Sequence, residues 1–467
     1  MRRALISSRV TGSSFRLIVS KQTGRLLWPC WSCVTPYGRA MSEKSWSGWG
    51  QLLYLEGMAL SQVEVLPNGL TLAVEERPWM PGVALQLLVP VGAVNDPEGM
   101  EGAASLLEGW LWKGAGSRDA RALADAFDDL GVRRGSSSAL EHTTFAAQFL
   151  AEKLPAVLSL YADVLMRPHL PAEALEAVRQ IALQELASLE DQPPKKMFAA
   201  LRQAVFASPH GRNPSGKKAH LEAMSAEALR RDFARRYAPQ GAILALVGGV
   251  RFEQAREAVL NALGEWSGPG VSYPPIELQP VHAIHLEQDS AQVQIGLVYP
   301  DISFDHPEFY SARLAAQVLS GGSSSRLFTE VREKRGLVYS VYAAPNGVKG
   351  YSYLTAYAGT TPERADETLK VMQAEITRLS EGVTEAELER TRIGLRAALV
   401  MQDESSRSRA ASIARDLYLL GRVRPLEEIE AQIAAVDVPR INRYLAANPY
   451  QNPWIATLGP RKLAVTE

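Results

Sequence analysis

PAEALEAVRQIALQEL at 171–186 and TEAELERTRIGLRAAL at 384–399 decide how this chain is organised. Both read as helices with apolar residues at helical spacing, and their likeness marks an internal repeat. Working outward, the segments around each helix follow the same order. Before the first come SQVEVLPNGLTLAVEERP (61–78), two strands around a Pro-Asn-Gly turn, and GVALQLLVPVGAVND (82–96), a more buried strand. GMEGAASLLEGWLWKGA (99–115) and DARALADAFDDLG (119–131) are helical, and VRRGSSSALEHTTFAAQFL (132–150) returns to strands. GAILALVGGV (241–250) is the last apolar strand of this half.

GEWSGPGVSYPPIELQP (264–280) is rich in Gly and Pro and reads as a linker, after which the order starts again. HAIHLEQDSAQVQIGLVYP (282–300) is strand-like and HPEFYSARLAAQVLSGG (306–322) helical. SSSRLFTEVREKRG (323–336) reads as a short helix and LVYSVYAAPNGVKGYSYLTAYAGT (337–360) as a strand pair. Two helices and the strand NPWIATLG (452–459) are expected to close the chain. The expected fold is therefore α+β, two duplicated halves, each a mostly antiparallel sheet covered by helices. The expected division is an N-terminal domain over 58–265, a linker over 266–275 and a C-terminal domain over 276–467.

A chain of 467 residues with 46% hydrophobic and 22% charged residues can bury a large core. The net charge of −1 supplies no electrostatic reason for a nucleic acid or an anionic membrane as partner. No apolar run is long enough for a membrane-spanning helix. Cys30 and Cys33 sit together in WPCWSCV and leave no disulfide framework for the main body. Residues 1–57 read as an unstructured stretch outside the fold. Met1 to Met41 holds no Asp or Glu but Arg2, Arg3, Arg9, Arg16, Lys21, Arg25 and Arg39. Two readings stand: a mitochondrial transit peptide, or an extension preceding a true start at Met58 in a bacterial cytoplasmic protein.

LSGGSSSRLFTEVREKRGLVYSVYA (319–343) is a long, specific string, and with HGRNPSG (210–216) it resembles the insulinase/pitrilysin zinc peptidases, the inverzincins. That family includes mitochondrial processing peptidase and the core proteins of a respiratory complex. Its active half carries His-x-x-Glu-His on a helix, where residues four apart share a face, so two imidazoles reach one Zn²⁺ and the Glu can take a proton from the bound water. Here the motif falls on Ser105, Leu106, Leu107, Glu108 and Gly109, and the third ligand position on Glu185, with Val178 where the family has a supporting carboxylate. Glu108 and Glu185 are expected to persist as leftover acids, solvated or hydrogen-bonded to each other, with no metal held by this chain.

The resemblance further implies an Arg and a Tyr of the C-terminal half that hold the substrate backbone and donate to the developing oxyanion. They fall on Arg332 and Tyr339. It implies a separate homologous subunit that holds the Zn, with Arg332 and Tyr339 completing its site in trans. Unfolded peptide would add to a sheet edge at residues 135–144, including Ser136, Ser137, Ser138 and Ala139. The rival expectation is a structural or peptide-binding protein without peptidase activity, like the respiratory core proteins.

Overall fold

The computed structural model describes residues 5–10, 13–18, 61–280 and 282–464. Strands β1 (Leu5–Val10) and β2 (Ser13–Ile18) pair with each other and with neither large sheet. The rest of the 1–57 segment, including Cys30, Cys33 and Arg2, lies outside the described residues, as does Met58.

The N-terminal half contains β3 (Ser61–Val65), β4 (Thr71–Glu76), β5 (Gly82–Val89), the short pair β6 (Gly114–Ala115) and β7 (Arg118–Asp119), β8 (Arg133–Ser138), β9 (Thr143–Leu150) and β10 (Ile243–Gly248). Its sheet runs β3-β4-β10-β5-β9-β8, antiparallel except for the parallel β4/β10 pair. β10 reads ILALVG and is buried along its whole length, as a central strand covered on both faces requires. The outer strand β8 reads RRGSSS, polar and largely exposed, which suits an edge open to water.

The C-terminal half repeats this plan with β11 (Ala283–Glu287), β12 (Val293–Asp301), β13 (Val338–Val348), β14 (Tyr351–Thr360) and β15 (Trp454–Gly459). Its sheet runs β11-β15-β12-β14-β13, again with one parallel pair, β11/β15. Setting β3 aside, β4-β10-β5-β9-β8 and β11-β15-β12-β14-β13 have the same order and the same parallel position. The duplication read from the two helices is thus present strand by strand. Those helices are Ala172–Ser188 and Glu385–Asp403, the latter closed at its start by a Thr384/Glu387 capping box.

Two features depart from the sequence reading. Five helices, not two, follow the C-terminal strand pair among the described residues: Ala365–Thr377, Glu385–Asp403, Ser406–Leu420, Leu426–Ala434 and Val438–Ala447. In addition, the halves exchange helices. Pro193–Val205 belongs to the first half by sequence but lays Met197, Leu201 and Val205 on Val298, Trp454, Ala456 and Leu458 of the second sheet. Gly296 permits this close approach, because a Cβ there would fall 2.4 Å from Met197 Sδ. Ser406–Leu420 reciprocates, packing Ala410, Ile413, Ala414 and Leu417 on Ala73, Ala84, Ala245 and Val247 of the first sheet.

Charge reinforces the exchange. Buried Glu75 of β4 accepts from Arg77 Nη2 (2.7 Å) and from Arg409 Nε (2.7 Å), and Arg77 reaches Asp403 Oδ1 at 2.9 Å. Ile413, fully buried between the halves, is expected to cost about 2–5 kcal/mol when changed to Ala, because the contact surfaces belong to two rigid sheets that cannot collapse onto the cavity. Urea denaturation showing a loss below about 1 kcal/mol would mean that the exchanged helix is not a structural tie.

Candidate functional site

The helix Ala103–Leu111 buries Ala103, Ala104, Leu106, Leu107, Trp110 and Leu111, leaving Ser105, Glu108 and Gly109 on one half-buried stripe at i, i+3, i+4. The spacing that a two-imidazole site needs is intact, but the ligands are absent. The helix has no side-chain cap of its own. Asp96, from the preceding loop, accepts from Gly102 N (2.8 Å) and Ala104 N (3.0 Å), satisfying two free donors of the first turn. Gly102 has φ +102°, and a Cβ there would lie 2.7 Å from Leu221 Cδ2, so this entry turn needs glycine twice over.

Glu108 and Glu185 do not pair. Glu185 is exposed on the Ala172–Ser188 helix, whose buried Val178 presses on the other side of the site: a Cβ on Gly109 would sit 3.2 Å from Val178 Cγ1. Glu108 instead accepts a short hydrogen bond from Ser136 Oγ of β8, and that hydroxyl in turn accepts from Trp112 Nε1 at 2.9 Å. The surviving carboxylate is thus tied to the sheet edge by a serine the sequence reading had placed only in a peptide-binding strand.

β8 is an edge strand, as expected, but the expected 135–144 stretch is broken. β8 ends at Ser138, and Ala139 begins a turn whose carbonyls are occupied: Ala139 O accepts from Ala93 N (3.1 Å) and Leu140 O from Val94 N (2.9 Å). Thr143 and Thr144 belong to the next strand inward, β9. Ser136, Ser137 and Ser138 therefore lie on the open edge, and Ala139 does not.

Sequence reasoning missed what anchors that turn. Glu141 accepts from Tyr418 Oη (2.7 Å) and Lys349 N (3.1 Å), both in the other half. His142 packs edge-on to Tyr418 at 4.1 Å, with Nε2 3.0 Å from Tyr273 Oη, and burial pushes its pKa down to about 4, so it is uncharged at neutral pH. The tyrosines lie 131 and 277 positions from their partners, and no local pattern announces such contacts.

In the C-terminal half, SSSRLFTEVREKRG is not an ordinary helix. Phe328–Glu333 is a π-helical turn, closed by Gly336 (φ +60°) with Gly336 N on Arg332 O (3.0 Å) and Leu337 N on Val331 O (3.0 Å). Glu330 holds Lys334 (2.6 Å) and Arg335 (2.7 Å), whereas Arg332 has no ion-pair partner among the described residues. Its guanidinium carbon lies 4.9 Å from the Phe328 ring centre and 5.1 Å from that of Tyr339.

Tyr339 falls where the β13/β14 register jumps between Val338 and Ser340, so it is the extra residue of a bulge, and its side chain is 85% exposed. A bulge on an edge strand re-aims one side chain away from the ladder. Arg332 and Tyr339 are thus brought together. No hydrogen bond or ring contact joins them to Ser105, Glu108, Gly109 or Glu185 among the described residues.

Comparison with known proteins bears on this arrangement. Residues 71–216 match the model of the insulinase peptidases, family M16, and residues 223–395 match that of the "Peptidase M16 inactive domain". An uncharacterized zinc protease of Mycobacterium bovis is 30% identical over 415 residues, spanning 85% of this chain and 92% of that protein. The chain belongs to the M16 family. An uncharacterized zinc protease of Bacillus subtilis is 25% identical over 379 residues, 80% of this chain and 92% of its own length. The M16 fold recurs in the peptidase M16 inactive domain from Pseudomonas fluorescens, with TM-score 0.80 at 22% identity over 86% of this chain and 98% of that one. A chain of complex III2 from Candida albicans shares it at TM-score 0.73 and 18% identity, over 85% of this chain and 96% of that one.

The zinc that the family implies does not fit the residues present here. Ser105 and Gly109 offer no imidazole, Val178 no carboxylate, Glu108 is engaged by Ser136, and no three His, Cys, Asp or Glu side chains converge as a metal site among the described residues. Purified chain dialysed against zinc is expected to carry well under one equivalent by elemental analysis. About one tightly held zinc per chain, lost in Glu185→Gln, would overturn this. Ser105→His with Gly109→His is expected to restore no efficient site, since Val178 crowds residue 109 and Ser136 occupies Glu108.

Proposed function

We propose that this M16 chain is the non-catalytic subunit of a heteromeric zinc metallopeptidase that acts on unfolded peptides. The zinc belongs to a homologous partner subunit, and this chain lends Arg332 and Tyr339 to the partner's site. One observation carries the reading: exposed Tyr339 and half-buried Arg332 lie together, with no hydrogen-bond or ion-pair partner for either side chain among the described residues, in a chain whose ligand positions are Ser105 and Gly109. The match to an M16 inactive-domain model and relatives named as zinc proteases support it.

In this arrangement an unfolded peptide adds beside β8, where the free donors and acceptors of Ser136 to Ser138 give main-chain affinity with little sequence selectivity. The relatives are bacterial, and the proposed site of action is a bacterial cytoplasm. No helix among the described residues is long and apolar enough to cross a membrane. The test is reconstitution with a homologous subunit that has an intact His-x-x-Glu-His. Neither chain alone should cleave an unstructured peptide efficiently, and the mixture should. A partner fully active by itself, unaffected by this chain, would transfer the protein to the structural, core-protein-like reading.

A further inference from the structure

Strand β8 carries two arginines just before its serines, and the fold treats them differently. Strand alternation puts Arg134 on the same face as Ser136, and Arg133 with Gly135 on the other. On the first face Arg134 meets two aromatic rings. Trp112 ends the Ala103–Leu111 helix, four residues after Glu108, and Phe127 comes, fully buried, from the Ala120–Asp129 helix. The Arg134 guanidinium carbon lies 4.2 Å from the Trp112 ring centre and 4.9 Å from that of Phe127.

Trp112 Nε1 donates to Ser136 Oγ at 2.9 Å, and that hydroxyl donates to Glu108. One line of contacts therefore runs from Phe127 through Arg134, Trp112 and Ser136 to Glu108. Arg134 itself stays without an acid. Among the described residues no carboxylate is in ion-pair contact with it and no acceptor takes its N–H groups: Asp125 of the Phe127 helix is held by Arg121 at 3.0 Å, and Glu108 by Ser136.

A guanidinium seated against two rings has already lost much of its rotamer freedom, so meeting a carboxylate costs less ordering than at a mobile surface arginine. The strand beside it is open: β8 is outermost in its sheet, and a Cβ on Gly135 would meet nothing within 4 Å. We propose that Arg134 is the specificity-determining residue of the β8 edge, selecting unfolded peptides that place an Asp or Glu side chain beside it. The inference rests on the reading of β8 as the peptide-binding edge.

An added strand sets its side chains directly opposite those of β8, about 4.5–5.5 Å away, within reach of a planar guanidinium fork. Two positions along, the residue beside Ser136 faces the Glu108 carboxylate instead, where an acid is repelled. Main-chain pairing supplies the general affinity, and Arg134 adds a preference for acid at one place. The test is fluorescence anisotropy of the full chain, without a partner subunit, with short end-blocked unstructured peptides that differ only in one central residue, Glu or Gln. At low salt the Glu peptide should bind about fivefold tighter, an advantage that shrinks as NaCl is raised. Arg134→Gln should bring the two affinities within about twofold of each other, whereas Arg133→Gln, on the opposite face, should keep a preference of at least about threefold.

Equal affinity of the two peptides, or a Glu preference that Arg134→Gln leaves at its wild-type size, would overturn the selection and leave peptide addition at β8 standing. A preference lost equally in Arg133→Gln would assign it to diffuse charge and overturn the selection as well. Binding of neither peptide would remove both the selection and β8 as the peptide edge. None of these outcomes involves zinc or cleavage, so the role of Arg332 and Tyr339 is judged separately, by reconstitution.

Discussion

Tyr339→Phe is expected to lower kcat of the reconstituted peptidase about a hundredfold while leaving assembly intact. The phenol stands on a bulge, aimed away from its own sheet, with Arg332 stacked on its ring. A hydroxyl presented in this way to the developing oxyanion acts mainly in the transition state, and losing one such donor costs on the order of 3 kcal/mol. Because the ring is 85% exposed in the single chain and its oxygen has no hydrogen-bond partner among the described residues, removing that oxygen should not disturb the fold. Arg332→Ala should behave differently, raising KM as well, since a guanidinium that holds the peptide backbone also binds the ground state. A Tyr339→Phe complex that assembles and turns over at the wild-type rate would end the trans-acting role.

The largest effect on stability is expected at Arg236→Ala, a loss of about 3–5 kcal/mol in urea denaturation. Arg236 is 0% exposed and lies between two buried acids, Asp96 at 3.0 Å and Asp232. Asp96 is the group that holds Gly102 N and Ala104 N, so this arginine indirectly secures the start of the helix bearing Ser105, Glu108 and Gly109. Burial already pushes the Asp96 pKa up, with Arg236 as its largest counterweight. Without the arginine, the carboxylate is left in the interior with two backbone donors and no cation, or else takes up a proton. Arg236→Lys should recover only part of the loss, because one ammonium cannot reach both acids in the fork geometry. A loss below about 1 kcal/mol for Arg236→Ala would show that Asp96 accommodates the change by itself.

The repeat of 171–186 in 384–399, the alternating strands and the fully apolar ILALVG were legible because hydrophobic period reports which face of an element is buried. That Ser105 and Gly109 stand where imidazoles would be was legible only through the family resemblance, which sets the motif on this helix. The sequence by itself therefore determined two α+β halves, while the roles assigned to Ser105, Glu108, Gly109, Arg332 and Tyr339 came from the resemblance laid on it.

Period does not say against what a face is buried. The apolar stripe of Pro193–Val205 would look the same if it covered its own sheet, and only the tertiary structure sends it to Val298 and Trp454. The register jump that exposes Tyr339 depends on which residues of β14 oppose it, a fact of pairing and not of either strand alone. The Ser136–Glu108 bond spans 28 positions, and Tyr418–Glu141 spans 277. Contacts at such separation arise when the sheets close and the helices cross over. Their energy is set by distance and desolvation in the finished fold, quantities that no stretch of chain carries before it folds.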